Sequence, residues 1–307
     1  MIIKHLEYLS ALAREKHFSR AAAACNVTQP TLSAGIKQLE EAVGSLVVER
    51  GHQYRGLTPE GERVLAWAHR ILEDYDSLHQ ELSAMRGGMI GTIRIGVIPT
   101  ALPIISLITT PFAKQYPEVT IQILSRTSAE IQRGLDDFEL DVGLTYLDNE
   151  PLTRVRRLPL YRERYVLFTP RSPELETRTT VTWREAAALP LCLLTPDMQN
   201  RRILDAHFRE VGESPRLHVE TNSTIALYSH LRSGQWSSIL PHTIMYLIAE
   251  MPGIVTIPLV EPDASHSIGL IAAEREPLTP LASAILDSAS RLDVADFANF
   301  STSVDQL

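Results

Sequence analysis

The sequence predicts an α/β protein in three parts: a small helical head with a wing, one long helix, and a two-lobed body. Three patterns predict it. Residues 3–50 read as helices with short breaks at 16–18 and 26–28. Residues 59–86 keep helical periodicity throughout, with one narrow apolar stripe. From Gly91 onward strand-like runs alternate with helical ones, the rhythm of a parallel sheet covered by helices. The implied boundaries are 1–58, 59–88 and 91–307; the first lobe of the body takes about 91–161 and 266–300, and the second about 162–265.

In the head, Ser19 can cap a short helix whose alanines, Ala21 to Ala24, permit close packing on a neighbour. Asn26-Val27 makes a tight turn. Thr28 caps the next helix, and Gln29 and Pro30 fill its first turn, where the missing proline N–H costs nothing. Leu32, Ile36 and Leu39 share one face; Gln29, Thr31, Ser33 and Lys37 are left for the other. A polar, uncharged helix start of this kind fits the major groove of double-stranded DNA. Gln bonds adenine edges, a Thr methyl meets thymine, and Ser, Lys and the helix start hold phosphate. A plain three-helix packing unit is the competing reading. After Gly44, an apolar run at 46–48 and a turn-rich stretch at 50–57 read as a hairpin wing.

Thr58 caps the long helix, with Pro59 at its first position and Glu60 and Glu62 complementing its dipole; Gly87-Gly88 ends it. Val64, Ala68, Ile71, Tyr75, Leu78, Leu82 and Met85 recur at alternating spacings of four and three, a heptad seam. Such a seam buries either on a second copy or on its own chain. Pairing of two copies would hold two heads at the fixed separation that two operator half-sites require.

Composition narrows the classes. A chain of 307 residues needs no stapling to bury its cores. Its two cysteines, Cys25 and Cys192, fall in different parts, so no disulfide is expected and a reducing cytoplasm fits. The charged start lacks a signal core, and no apolar run is long enough for a membrane helix. The net charge is −8, yet residues 1–58 carry seven basic against five acidic side chains, which is +2 and leaves −10 elsewhere. That asymmetry suits DNA contact confined to one end. Metalloprotease, P-loop, nucleophile-elbow and dinucleotide motifs are missing and the ten histidines lack metal spacing, so neither an enzyme, a metal nor a cofactor is expected.

In the body, strands are expected at 92–97, 119–124, 141–145, 164–168, 191–194, 217–220, 238–240, 255–259 and 267–272. Helices are expected at 103–116, 128–138, 183–188, 200–211, 223–233, 242–250 and 279–293. Pro159 and residues 261–263 read as the crossings between lobes.

FSRAAAACNVTQPTLSAGIKQLEEAVG at 18–44, LVVER at 46–50 and LTPEGERVL at 57–65 resemble the DNA-binding head of the LysR-type transcriptional regulators. The order of parts over all 307 residues matches that family too. Departures are Val47-Val48, Ala34-Gly35, and Trp236 within GQWSSILP at 234–241. The resemblance implies a homodimer pairing further into a tetramer, and an activator of a neighbouring operon. It implies that Ser19, Gln29, Pro30, Thr31 and Ser33 meet bases or phosphates, and that Lys37, Arg50 and Arg55 hold backbone. For Arg50 a salt bridge to Glu41 or Glu49 is the alternative. His52 and Tyr54 lie in the wing, near the minor groove.

The body resembles the periplasmic-binding-protein-like effector domain of that family, whose ligands sit between lobes at strand ends and helix starts. Pro99, Thr100, Thr127, Ser128, Tyr146, Met198, Gln199 and Asn200 are the effector residues this places together. Thr100 and Ser128 are explained equally well as helix caps. Hydroxyls, amides and helix starts suit a small carboxylate, with formate the smallest case. Arg126, Arg201 and Arg202 could pair it, or be surface residues.

Overall fold

The computed structural model describes residues 2–49, 54–85, 88–247 and 251–292. Arg50 and His52 lie outside the described residues, as do the expected helix ends at 248–250 and 293. Two compact units make up the chain: Met1–Met89 with Asp136–Glu139, and Ile90–Leu135 with Leu140–Leu307. Among the described residues no helix is long and apolar enough to cross a membrane.

The head packs α1 (Ile2–Glu15), α2 (Phe18–Ala24) and α3 (Gln29–Val43) around Leu9, Leu12, Ala21, Leu32 and Leu39. Ser19 does not cap α2. His17 does, its Nδ1 accepting from the Ser19 amide at 3.2 Å. Thr28 caps α3 as expected, and Gly44 ends it at φ 73°, a left-handed conformation suited to glycine. The wing closes where Val48 bridges Leu57. Glu40 of α3 accepts from the amides of Val47 and Val48 at 2.8 and 3.2 Å, so the wing is fastened to that helix. Tyr54 meets Phe18 edge-on and packs on the head core.

Helix α4 (Pro59–Met85) starts with the Thr58 hydroxyl accepting from Gly61 N at 2.9 Å. The heptad seam divides along its length. Ala68 is wholly buried in the head core and Val64 packs against it, while Ser10 of α1 bonds His69 at 3.1 Å. The expectation that Ala68 meets a partner is therefore corrected: its own head leaves it no surface to offer. From Ile71 on, Tyr75, Leu78, Leu82 and Met85 are between 40 and 84 % exposed. Seven apolar positions in register could not reveal this division, because heptad spacing does not say which neighbour covers each turn.

In the body, β1 (Gly91–Val97) lies between β2 (Val119–Ser125) and β3 (Val142–Tyr146), all parallel. β4 (Val155–Pro170) is one strand of sixteen residues. Up to Arg164 it pairs with β10 (Ser265–Ala273), which also pairs β3; from Tyr165 it pairs with β8 (Ser238–Pro241) and β9 (Ile254–Val260). Three short strands, β5 (Val181–Thr182) on β9 and the parallel pair β6 (Leu191–Leu194) and β7 (Leu217–Thr221), complete the second lobe. Pro159 is thus not a crossing. It sits within β4 opposite Gly269, where the register shifts, and a residue without an N–H is tolerated at such a bulge. The change of lobe comes at Arg164 and Tyr165.

Helices α5 (Ile105–Gln115), α6 (Ser128–Asp136) and α10 (Pro280–Ser290) cover the first sheet; α7 (Trp183–Ala187), α8 (Gln199–Glu210) and α9 (Thr224–Arg232) cover the second. A 3₁₀ turn, Pro99–Ile104, precedes α5 and carries Pro103 within it. A second 3₁₀ turn, His242–Tyr246, stands where a longer helix was expected; its His242 Nδ1 accepts from the Arg164 amide at 3.1 Å. Trp236 lies against His218 and packs on the second lobe's core.

Candidate functional site

The α3 surface is built from its cap outward. Gln29, Pro30, Thr31 and Lys37 are exposed and Ser33 is half-buried. The Ser19 hydroxyl donates to Gln29 Oε1 at 3.0 Å, which holds the amide and leaves its NH₂ outward. Thr31 bonds the Thr28 hydroxyl at 2.8 Å. Lys37 stands 3.8 Å from Glu41, both largely exposed, a pair too solvated to hold the ammonium back from phosphate. Arg55 is exposed in the wing. Gly35 faces the other way: it is buried, and a Cβ there would lie 2.5 Å from the Tyr8 ring. Its small size serves the packing of α3 on α1. Gln38, exposed beside Lys37, belongs to the outer face and was not singled out from the sequence.

In the body, Pro99, Thr100, Thr127, Ser128, Tyr146, Met198, Gln199 and Asn200 line one cavity, together with Ile98 and Leu194. Its volume is about 10 Å³, roughly one water molecule's worth. Three chain reversals converge on it: the 3₁₀ turn after β1, the start of α6, and the start of α8. Capping does not account for the two hydroxyls. Thr127, not Ser128, caps α6: its Oγ1 accepts from Glu130 N at 3.2 Å while Glu130 Oε2 accepts from Thr127 N at 2.8 Å. Those bonds also hold the Glu130 carboxyl below its usual range. Ser128 instead accepts from Thr145 at 3.2 Å in the interior. Thr100 Oγ1 is buried without a hydrogen-bond partner. Helix α8 starts at Met198 with no side-chain cap, leaving its first amides to the cavity.

The arginines are committed elsewhere. Arg201 is buried, bonded to Leu194 O and Asp205 at 2.8 Å and paired with Glu220. Arg202 bonds Glu150 at 2.6 Å across the cleft, and Arg126 is exposed, donating to Ser125 O. No Lys or Arg lines the cavity. Three more bonds join the lobes: Gln199 Nε2 to Asp148 O at 3.2 Å, Asn200 Nδ2 to the Tyr146 hydroxyl at 3.2 Å, and His207 to His266 at 3.1 Å.

With this geometry, two family models account for nearly the whole chain: bacterial regulatory helix-turn-helix protein, lysR family, over residues 3–62, and LysR substrate binding domain over 86–292. The chain belongs to the LysR family of transcriptional regulators. It is similar to the DNA-binding transcriptional dual regulator OxyR of Escherichia coli, 28 % identical over 279 residues and 91 % of each chain. A probable hydrogen peroxide-inducible genes activator of Streptomyces viridosporus is 30 % identical over 302 residues, 95 % of this chain and 96 % of that one. Among solved structures, a full-length OxyR variant from Pseudomonas aeruginosa matches with a TM-score of 0.77, 25 % identity and 97 % of each chain. The fold of CbnR in complex with its target DNA matches with a TM-score of 0.67 at 22 % identity, covering 95 % of this chain and 99 % of that one.

As a LysR-family protein it is a DNA-binding transcription regulator with an effector-binding domain, and not an enzyme. Sequence reasoning missed the residues behind this regulator's cavity: Asp148, Glu150 and, above all, Glu163. The signal was the alternation Tyr161-Arg162-Glu163-Arg164-Tyr165, which in a strand turns both arginines to one face and the carboxyl inward with the tyrosines.

Proposed function

We propose that this regulator reads a promoter with Gln29, Pro30, Thr31 and Ser33, that Ser19 orients Gln29, and that Lys37, Arg50 and Arg55 hold the DNA backbone. Two chains pair along α4 through Ile71, Tyr75, Leu78, Leu82 and Met85, and two such dimers form a tetramer. The working parts are a head over 1–58, a linking helix over 59–88 and an effector domain over 91–307. Acting on promoter DNA, it works in the bacterial cytoplasm and activates a neighbouring operon.

Its effector is a small carboxylate, formate being the smallest, bound in the cavity between the lobes. One observation carries this reading: eight residues from four separated segments meet at a cavity holding an unpartnered buried hydroxyl, Thr100 Oγ1, and the uncapped start of α8. A helix start stabilises an anion without needing a cation. At about 10 Å³ the cavity holds roughly one water, so an acid enters only as the walls part, and the shortest acids require the least opening.

The relatives named for hydrogen peroxide suggest a different signal. Against a thiol sensor here stand the two cysteines. Cys25 lies in the head, and Cys192 is wholly buried in β6, its thiol pushed up to about 11 by burial and absent from the cavity wall. Thiols react as thiolates, so a protonated, buried one is inert.

The test is footprinting of genomic promoter fragments with formate, acetate, propionate and hydrogen peroxide, on wild type and Thr100→Val. The expected result is a footprint altered by one of the acids and at least tenfold less sensitive in Thr100→Val. A footprint altered only by peroxide, or an acid response untouched by the substitution, would overturn the reading.

A further inference from the structure

Behind the cavity lies a carboxyl that the reading above does not use. Glu163 stands midway along β4 with its side chain wholly buried, opposite His266 in the strand register. The Tyr146 hydroxyl donates to its Oε1 at 2.5 Å, and the same hydroxyl accepts from Asn200 at 3.2 Å. Tyr146 and Asn200 both line the cavity, so the carboxyl sits one side chain behind its wall.

The groups facing Glu163 come from every element around it. β3 supplies Tyr146 and the turn after it Asp148; β4 itself supplies Tyr161 and Tyr165. β10 supplies His266, whose ring packs against Tyr146 and Tyr165; α8 supplies His207, against Tyr165 and His266. The second 3₁₀ turn supplies His242, against Tyr161, and Thr243. None of these is Lys or Arg. Arg162 and Arg164 flank Glu163 in the strand and are exposed on its other side. Burial holds His266 below its usual range, toward the neutral ring, despite Asp148 beside it. An anion in the cavity would therefore meet a second buried negative charge with no cation between them.

We propose that the effector site takes a small monocarboxylate together with one proton, the proton held by Glu163, so that the occupied site carries the charge of the neutral acid. This rests on the small-acid reading above and names its charge state. The step is balanced by one proton drawn from solvent when Glu163 is ionised, and by none when it is already protonated. Burial raises the Glu163 carboxyl to about 8, which puts that proton within reach near neutrality. Either way the Tyr146 hydroxyl can keep donating, since a carboxylate and a carboxylic acid both offer an acceptor oxygen.

The experiment is isothermal titration calorimetry of the full-length protein with sodium formate and sodium acetate from pH 6 to 9.5, in two buffers of different ionisation enthalpy. Formamide, the uncharged analogue of formate, serves as control. The expected Kd for the anions is level below about pH 8 and rises toward tenfold per pH unit above it. The buffer comparison should give nearly one proton taken up per anion at pH 9 and almost none at pH 6.5. Glu163→Gln should bind the anions with a level Kd and no proton uptake. Formamide binding to wild type should be level, which keeps the test independent of whether the variant folds. Anion binding without proton uptake at any pH, or a fall centred below pH 7 as a histidine would give, overturns the inference and leaves the small-acid reading standing. Failure of both anions to bind at every pH overturns both.

Discussion

Replacing Gly35 by alanine separates two opposed effects. Helix propensity alone predicts that Gly35→Ala stabilises α3 by about 1 kcal/mol. The tertiary structure predicts the reverse, because the new methyl would sit 2.5 and 2.7 Å from two carbons of the Tyr8 ring and 3.2 Å from the His5 ring. Tyr8 is itself buried in the head core, so the ring has no solvent to swing into. Overpacking of this severity costs about 3 kcal/mol, the upper part of the usual range. The net loss is then about 2 kcal/mol, which multiplies the population of opened heads about thirtyfold. Native-state hydrogen exchange of the intact protein, followed by mass spectrometry on peptides from α1 and α3, reads that population directly. Exchange in both helices should accelerate by about that factor. In a Tyr8→Leu background the same substitution should cost clearly less, because the two sites share one contact. Slower exchange in Gly35→Ala, as propensity predicts, would refute the close approach of α1 to α3.

Three further outcomes are expected. Gln29→Ala should cost about 1–3 kcal/mol at one base pair and relax sequence choice there, whereas Lys37→Ala should weaken specific and random DNA together and reduce the salt slope by about one; quantitative gel shifts on matched and scrambled operators distinguish them. Leu78→Asp puts an unpaired charge in the α4 seam at a cost of roughly 3–5 kcal/mol; if α4 pairs two copies as proposed, sedimentation should then show a smaller species than wild type at the same concentration, while Ala68→Asp should unfold the head instead. Stability should fall with rising pH between about 4.5, the ordinary value for Glu163, and about 8, its value in the fold. The native state binds the extra proton across that window, so stability is full below it and lost above it. The melting temperature of Glu163→Gln should lose much of this slope, and an identical slope in both proteins would rule out Glu163 as its source.

Much of the protein was legible in its sequence because the signals are local. The cap at Thr28, the cap at Thr58 and the glycine ending α3 are short-range backbone chemistry, and each stands where its residues put it. The alternating strands and helices of the body follow from periodicity alone. The eight cavity residues were also within reach, since strand ends and helix starts in a two-lobed α/β body converge by topology.

Other features depend on which surfaces meet. A heptad seam is the same string whether its first turns bury on α1 or on another helix; only packing assigned Val64 and Ala68 to the head. Gly35 reads as a weak helix residue until Tyr8 is placed against it. Pro159 reads as a break until a bulge opposite Gly269 absorbs it, letting β4 run unbroken from one lobe into the other. Glu163 reads as one charge among thirty-seven acidic residues. Burial removes it from water and Tyr146 ties it to the cavity. The order of helices and strands and eight residues of the cavity wall could be read from the chain alone, because backbone periodicity and capping act over a few neighbours. The tertiary structure alone decided which apolar positions remain open to a partner and which charge stands behind the wall, because solvent exclusion is set by residues far apart in the chain.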